Sequence, residues 1–424
     1  MNDFIQHKLC DGINFNVIKE SRFKTGRISA TMFLPLNEET VSANAILPFL
    51  LSKSCQEFPD FTSLNKHLND LYGASIYAEV SKLGETQVLG LSASFLDDRY
   101  SLNKESISAK VTELLCKMIF EPLFDNGKFI QENVEQEKRQ LIELIESEYN
   151  DKRIFAKNRC EQLMCQDEKF GINRFGTKSQ VEALTPDDIY KAWDQILKRA
   201  KIELTLLGNS NENLALDVFK RAFGKIKREN VFSCNTEIIK EAKHIKENRE
   251  EMDLAQSKLV MGFRTGAALQ DHLVMPMRVA VALFGSTPHS KLFLNVREKF
   301  SLCYYCAARY DRNKGIMLVQ SGVEKENIQK AKLEILNQLG DVQKGKFTDN
   351  DVDAIKKSLS NNYRTVGDYL SSLENFYISQ TFDSERVTPL EFVKRINAVT
   401  KDQIVKAANL ITLDTVYILV GEKG

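Results

Sequence analysis

No uninterrupted apolar run in this 424-residue sequence approaches the ~20 residues that a membrane-spanning helix needs. The opening stretch MNDFIQHKLC lacks the basic and apolar regions of a secretory leader. Charge of one sign is missing too. Lysine plus arginine number 58 and aspartate plus glutamate number 58, so there is neither a basic field for nucleic acid nor an acidic tail. Histidine is scarce: of five, none begins HxxEH or HExxH, the two patterns that place a zinc pair on one helix. Neither GxxxxGK[ST] nor GxGxxG occurs, so no nucleotide site is indicated. Eight cysteines are scattered without the framework of a secreted disulfide domain, and reduced thiols in a cytoplasm are the simpler reading. No cofactor is called for.

What is present is an ordinary soluble composition, 43% hydrophobic and 27% charged, arranged as two copies of one plan. LTPDDIYKAWDQIL (184–197) resembles VTKDQIVKAANLI (399–411), each with a threonine placed to cap a helix. Each copy then runs into a strand ending in glycine, KIELTLLG (201–208) and DTVYILVG (414–421). Upstream, ENVEQEKRQLI (132–142) resembles NDVDAIKKSLS (350–360) in the same register. INFNVI and RISATMFLP alternate like paired strands with Gly26 in the turn between them, and TQVLGLSASF puts Leu89, Leu91, Ala93 and Phe95 on one face. The spacing predicts a long helix over about 126–149 and, in the second half, strands over 257–264, 302–309 and 315–321 around two helices. The expected fold is α+β: two tandem homologous domains, each a mainly antiparallel sheet with helices on one face. Expected boundaries are 1–225 and 252–424, with the charged stretch 226–251 as linker.

One string carries chemistry. FGSTPHSKLFLNVREKFSLCYY (284–305) reads as a turn, a helix and a strand with Arg297 and Tyr304 seven residues apart. Arginine can donate several hydrogen bonds and tyrosine one, which suits capture of peptide carbonyls. Taken singly, Arg297 is equally a surface charge and Tyr304 a strand aromatic. The string, with Gly285, Ser290, Leu292-Phe293, Val296-Arg297-Glu298-Lys299 and Tyr304, resembles the second domain of the pitrilysin/insulinase family of zinc metallopeptidases. That resemblance implies tandem domains closing like a clamshell on peptides. It also implies that Arg297 and Tyr304 bind substrate carbonyls, with Gly285 and His289 in the loop beside them.

Active members of that family carry HxxEH on an early helix. The aligned stretch here is NAILPFLLSKSC (44–55), which puts Ala45 and Phe49 at the two histidines and Pro48 at the general base. The third zinc ligand falls on Leu144 in EKRQLIELI (137–145), while Glu137, Glu143 and Lys53 keep the family's residues. None of Ala45, Pro48, Phe49 and Leu144 can ligate zinc or move a proton, so no metal and no catalytic residue is expected. The stripe Ile130, Val134, Leu141, Leu144, Ile145 predicts that this former site is packed and dry. The nearest decoy, HIKEN, offers His244 and Glu247 but no second histidine. In CYYC (303–306), positions i and i+3 of a strand face opposite sides, so packing cysteines are expected rather than a metal pair.

Chains of this kind pair, by the same resemblance, with a separate active subunit bearing HxxEH. The expected reading is a catalytically inactive cytoplasmic subunit that binds peptide or protein substrate and complements such a paralogue as a heterodimer, or else forms a homodimer. Neither nucleic acid nor membrane is a partner. The alternative is a stand-alone peptide-binding or scaffold protein with no proteolytic role.

Overall fold

The computed structural model describes residues 4–421, which form two compact units of α+β structure. The first takes the chain up to Glu146 together with Ile172–Asn235 and Tyr369–Asn375. The second takes Ser147–Gly171, Thr236–Asp368 and the chain from Phe376 onward. This division differs from boundaries at 225 and 252.

In the first unit the strands are β1 (Phe4–Cys10), β2 (Ile13–Lys19), β3 (Thr25–Pro35), β4 (Ser75–Leu83), β5 (Thr86–Leu96) and β8 (Lys201–Gly208), beside a two-residue ladder of β6 (Phe124–Asp125) and β7 (Lys128–Phe129). Its helices are α1 (Val41–Leu51), α2 (Phe61–Asp70), α3 (Ile107–Phe120), most of α4 (Gln131–Asn150), α6 (Lys178–Ala183), α7 (Pro186–Arg199) and α8 (Glu212–Phe223). The sheet order is β1-β2-β8-β3-β5-β4. Strand β2 therefore does not pair with β3. The later strand β8 inserts between them, parallel to β2 and antiparallel to β3, and Gly26 lies within β3 opposite Phe95. Alternation identifies strands but says nothing about which strand from elsewhere in the chain lies alongside.

The second unit contains α5 (Lys152–Met164), β9 (Lys246–Met252), β10 (Ser257–Arg264), α9 (Val274–Val281), β11 (Cys303–Asp311), β12 (Ile316–Val323), α10 (Ile328–Gln343), α11 (Asp349–Arg364), α13 (Pro389–Asn397), α14 (Lys401–Ala408) and β13 (Thr412–Gly421); α12 (Leu370–Ile378) is divided, its residues up to Asn375 falling in the first unit and the rest in the second. Its sheet order is β11-β12-β10-β13-β9. Setting β2, β8, β3, β5 and β4 against β9, β13, β10, β12 and β11 reproduces both order and direction, including the one parallel pair in each sheet. The internal repeat is thus a repeat of topology. Its capping threonines behave as the sequence predicts: Thr185 and Thr400 each form a capping box, with Asp188 and Gln403. The repeat also explains why 226–251 is not wholly linker. Residues 246–252 are β9, the counterpart of β2.

Helix α5 belongs to the second unit because of what it buries. Ala156, Cys160 and Met164 pack with Val260, Leu318, Tyr417 and Leu419 on one face of the sheet. Leu259, Met261 and Phe263 on the other face are equally buried, so both faces are covered. A buried ionic cluster fixes the segment after α5. The Arg264 guanidinium donates to Glu168 at 2.6 Å, to Asp414 at 2.8 Å and to the Met164 carbonyl at 3.1 Å. Lys314, fully buried, donates to Glu168 at 2.6 Å and to the Glu237 carbonyl at 2.7 Å. Burial alone would push the Glu168 carboxyl up. Its hydrogen bonds from Arg264 and Lys314 outweigh that and hold it below the usual carboxylate range.

Candidate functional site

Helix α1 is apolar on nearly every side, the composition of a helix with no solvent face, and only Phe49 in it is less than fully buried. Ala45 is completely inaccessible. Pro48 sits inside the helix, where it has no N–H to offer the Asn44 carbonyl one turn back. The side chain instead borders a narrow apolar cleft lined by Met32, Leu47, Leu51, Leu89 and Trp193. A helix built this way presents no donor atom where a metal or an activated water would need one.

Leu144 behaves differently from the expectation of a packed, dry site. It is 41% exposed. Helix α4 buries Val134, Glu137, Lys138 and Leu141, but from Ile142 to its end every residue is half-buried or exposed. The apolar stripe is fully buried only through Leu141; Ile145 still packs against the core but is half-buried, and Leu144 stands outside it. Among the described residues no three histidine, cysteine, aspartate or glutamate side chains come together as a metal cluster. His244 is exposed, and His67 stacks on Phe58 with ring centres 4.4 Å apart.

One polar relic remains. Glu137 is only 3% exposed, and its Oε2 has no hydrogen-bond partner. Burial pushes its carboxyl up, opposed by the charge of Lys53. The sequence shows both residues persisting; only the structure shows the carboxylate to be desolvated.

The second unit holds the remaining candidate residues. The chain leaves α9, passes through a π-helical turn at Ala282–Ser286, and forms a π-helix at Leu292–Lys299. Gly285 is where these pack on the sheet. A Cβ there would meet Leu292 Cδ1 at 2.5 Å and the Ala308 Cβ at 2.8 Å, so this glycine is required for close packing. His289 is exposed in the loop. Arg297 is also exposed: its guanidinium lies 4.8 Å over the Phe293 ring, and the Glu298 carboxylate is 3.6 Å away. Ser301, with φ of +50°, then turns the chain into β11.

Strand β11 is an edge strand, and it is one residue too long for its partner. Cys303 pairs with Val323 and Tyr305 with Gly322, so Tyr304 is the extra residue of a β-bulge. The bulge pushes Tyr304 outward to 63% exposure. A hydrogen bond between its hydroxyl and Glu324 pushes the phenol up. Beside it, the Tyr305 ring takes the space left by Gly322 and lies 4.5 Å from the Arg153 guanidinium. The bulge also changes the reading of CYYC. Cys303 faces Val323 and Cys306 faces Ser321, two residues apart on one strand, so both thiols lie on the same face and not on opposite ones. Glu324 and the bulge were invisible to motif reading; they emerge only when the nine residues of β11 are set against the eight of β12 in the folded chain.

Comparison with known proteins bears on what these pieces mean. Residues 183–359 match the family described as peptidase M16 inactive domain. The chain is 30% identical over 413 residues, 97% of each chain, to a Bacillus subtilis (strain 168) protein described as "Probable inactive metalloprotease YmfF". A conserved protein from Enterococcus faecalis V583 has a crystal structure that superposes with a TM-score of 0.91 at 29% identity over 99% of both chains. A peptidase M16 inactive domain from Pseudomonas fluorescens shares the fold at a TM-score of 0.79 and 13% identity, over 99% of this chain and 98% of that one.

Proposed function

Because the chain belongs to the peptidase M16 family as an inactive metalloprotease homologue, we propose that it is a peptide-binding subunit that acts in the cytoplasm beside an active, HxxEH-bearing partner. The observation that carries this reading is the pairing of an apolar α1 with an intact display of Arg297 and Tyr304. The three metal positions hold Ala45, Phe49 and Leu144 and the general-base position holds Pro48, none of which has a side-chain donor atom. Both hydrogen-bonding side chains stand in solvent on adjoining elements of the second unit. A fold-stabilising role would bury such groups against their own chain; exposure on an edge strand suits capture of a ligand backbone.

In this reading Arg297 and Tyr304 donate to carbonyl oxygens of an extended peptide. The test is calorimetric titration with an unstructured peptide, with thermal melts as control. A hydrogen bond from a charged donor contributes about 1.5–3 kcal/mol, so Arg297→Ala should weaken binding by about tenfold or more, without loss of melting temperature. Tyr304→Phe should cost about 0.5–1.5 kcal/mol. Unchanged affinity in Arg297→Ala defeats the reading. Co-purification from the native cell decides between a proteolytic partner and stand-alone binding.

A further inference from the structure

The structure assigns Cys303 and Cys306 as a dithiol modification site, in which oxidation to a disulfide by a low-molecular-weight disulfide resets the bulge that displays Tyr304. Three observations meet here. The ladder puts both thiols on one face of β11, because Cys303 stands opposite Val323 and Cys306 opposite Ser321. Between them lies the extra residue, Tyr304, so any change in the distance from 303 to 306 is taken up by the bulge itself. Directly opposite Cys306 is Ser321, fully buried, whose hydroxyl lies beside both thiols. The two thiols are free cysteines at present.

The pair is chemically differentiated. Hydrogen bonding from Cys306 holds the Cys303 thiol below the usual range against the opposing effect of burial, and the nearby Ser321 hydroxyl and Arg297 charge add to the lowering. Cys306 is pushed the other way, first by that same hydrogen bond and then by burial. Cys303 is the first residue of the strand and the more exposed of the two, 9% against 5%. These are the properties of an attacking thiol with a resolving neighbour.

The step balances as follows. The Cys303 thiolate attacks a sulfur of the small disulfide and expels one small thiolate, which takes up the Cys303 proton. Cys306, losing its proton to solvent or to the leaving thiolate, attacks Cys303 Sγ and expels the second small thiolate. Two protein thiols become one disulfide, and the small disulfide becomes two thiols. The geometry sets the consequence. Residues facing partners two apart on a strand sit about 6.6 Å apart. A disulfide usually holds its Cα atoms at roughly 4.4–6.8 Å, with the commonest values in the middle of that range. Bond formation therefore draws 303 and 306 together and changes how far Tyr304 projects.

The consequence for peptide binding rests on the proposed role of Tyr304, whereas formation of the disulfide does not. The experiment keeps them apart. The full chain is incubated with excess glutathione disulfide, alkylated and digested with trypsin, which releases Phe300–Arg309 with both cysteines. The expected product is that peptide unalkylated and two hydrogens lighter, and Cys306→Ser should instead trap glutathione on Cys303. Hydrogen exchange of the oxidised chain should change within 303–306 and 321–324 and little elsewhere. Peptide affinity should shift by about threefold or more between the two states and stay constant in Cys303→Ser/Cys306→Ser. Two alkylated cysteines after oxidation overturn the site. A disulfide that leaves exchange around Tyr304 unchanged overturns the coupling. A disulfide with altered exchange, but no peptide binding in either state, sustains this site and sinks the peptide-binding reading alone.

Discussion

Replacing Glu168 with glutamine should destabilise the second unit far more than an exchange of nearly equal volume ordinarily does. Glu168 accepts from Arg264 at 2.6 Å and from Lys314 at 2.6 Å, with both cations almost wholly out of solvent. Asp414 contacts Arg264 and would remain, so removal of one charge leaves two buried cations facing one carboxylate. Breaking one partner of a buried ion pair costs about 3–5 kcal/mol, because the stranded charge keeps its desolvation penalty. In a domain of this size 1 kcal/mol moves the melting temperature by about 2–4 °C, so the expected loss is about 6–20 °C. Differential scanning calorimetry of the full chain is the assay, with Arg221→Gln as control. Arg221 meets Glu113 only on the surface, and such pairs are worth about 0–1 kcal/mol. The pH dependence has a definite sign. The folded-state proton affinity of Glu168 is depressed, so its stabilisation is present above the ordinary carboxylate range and lost as pH falls through the folded value. The difference between wild type and Glu168→Gln should therefore shrink in acid. A loss below about 1 kcal/mol at neutral pH would refute the claim that these charges depend on each other.

Glu137 should show the opposite sign. Its carboxyl is raised by burial, so its ionisation opposes folding as pH rises through the folded value; Glu137→Gln should flatten that fall in pH-dependent melts, each tenfold change in proton affinity being worth about 1.4 kcal/mol. Combining Ala45→His, Pro48→Glu, Phe49→His and Leu144→Glu in one chain should yield neither stoichiometric zinc by elemental analysis nor peptidase activity. The combination should also lower the melting temperature, because Ala45 and Pro48 are buried while Leu144 lies on the exposed part of α4. One tightly held zinc in that variant would show the ligand geometry to have survived.

Most of the architecture was legible because it rests on local signals. The capping threonines, the alternation of β5 and the repeated helix–strand pairs are set by neighbours in sequence. What was not legible depends on partners far away. Strand β8 separates β2 from β3 although it comes much later in the chain, and α5 joins the second unit because Cys160 and Met164 find Val260 and Leu318. The loss of zinc ligands at 45 and 49 and of the general base at 48 was readable from residue type alone. The exposure of Leu144 was not, since an apolar residue at helical spacing looks buried until the helix is known to extend past its core.

The two copies of the fold, set against each other, isolate Tyr304. In the first unit the edge hairpin pairs nine residues of β4 with nine of β5 without interruption. In the second, β11 sets nine residues against eight of β12, and the surplus one is the displayed tyrosine. Deleting Tyr304 should therefore restore the register of the first copy. Cys303 would still face Val323, Tyr305 would still face Gly322, and no side chain would change sides. Deleting Ala307 gives the contrasting case, because it throws every residue before it onto the wrong face of the sheet. The deletion of Tyr304 should melt within about 2–4 °C of wild type, the change that ~1 kcal/mol produces, and should lose peptide binding. The deletion of Ala307 should melt far lower. If both deletions unfold the chain equally, the bulge is part of what holds β11 in place, and Tyr304 is there for the fold and not for a ligand.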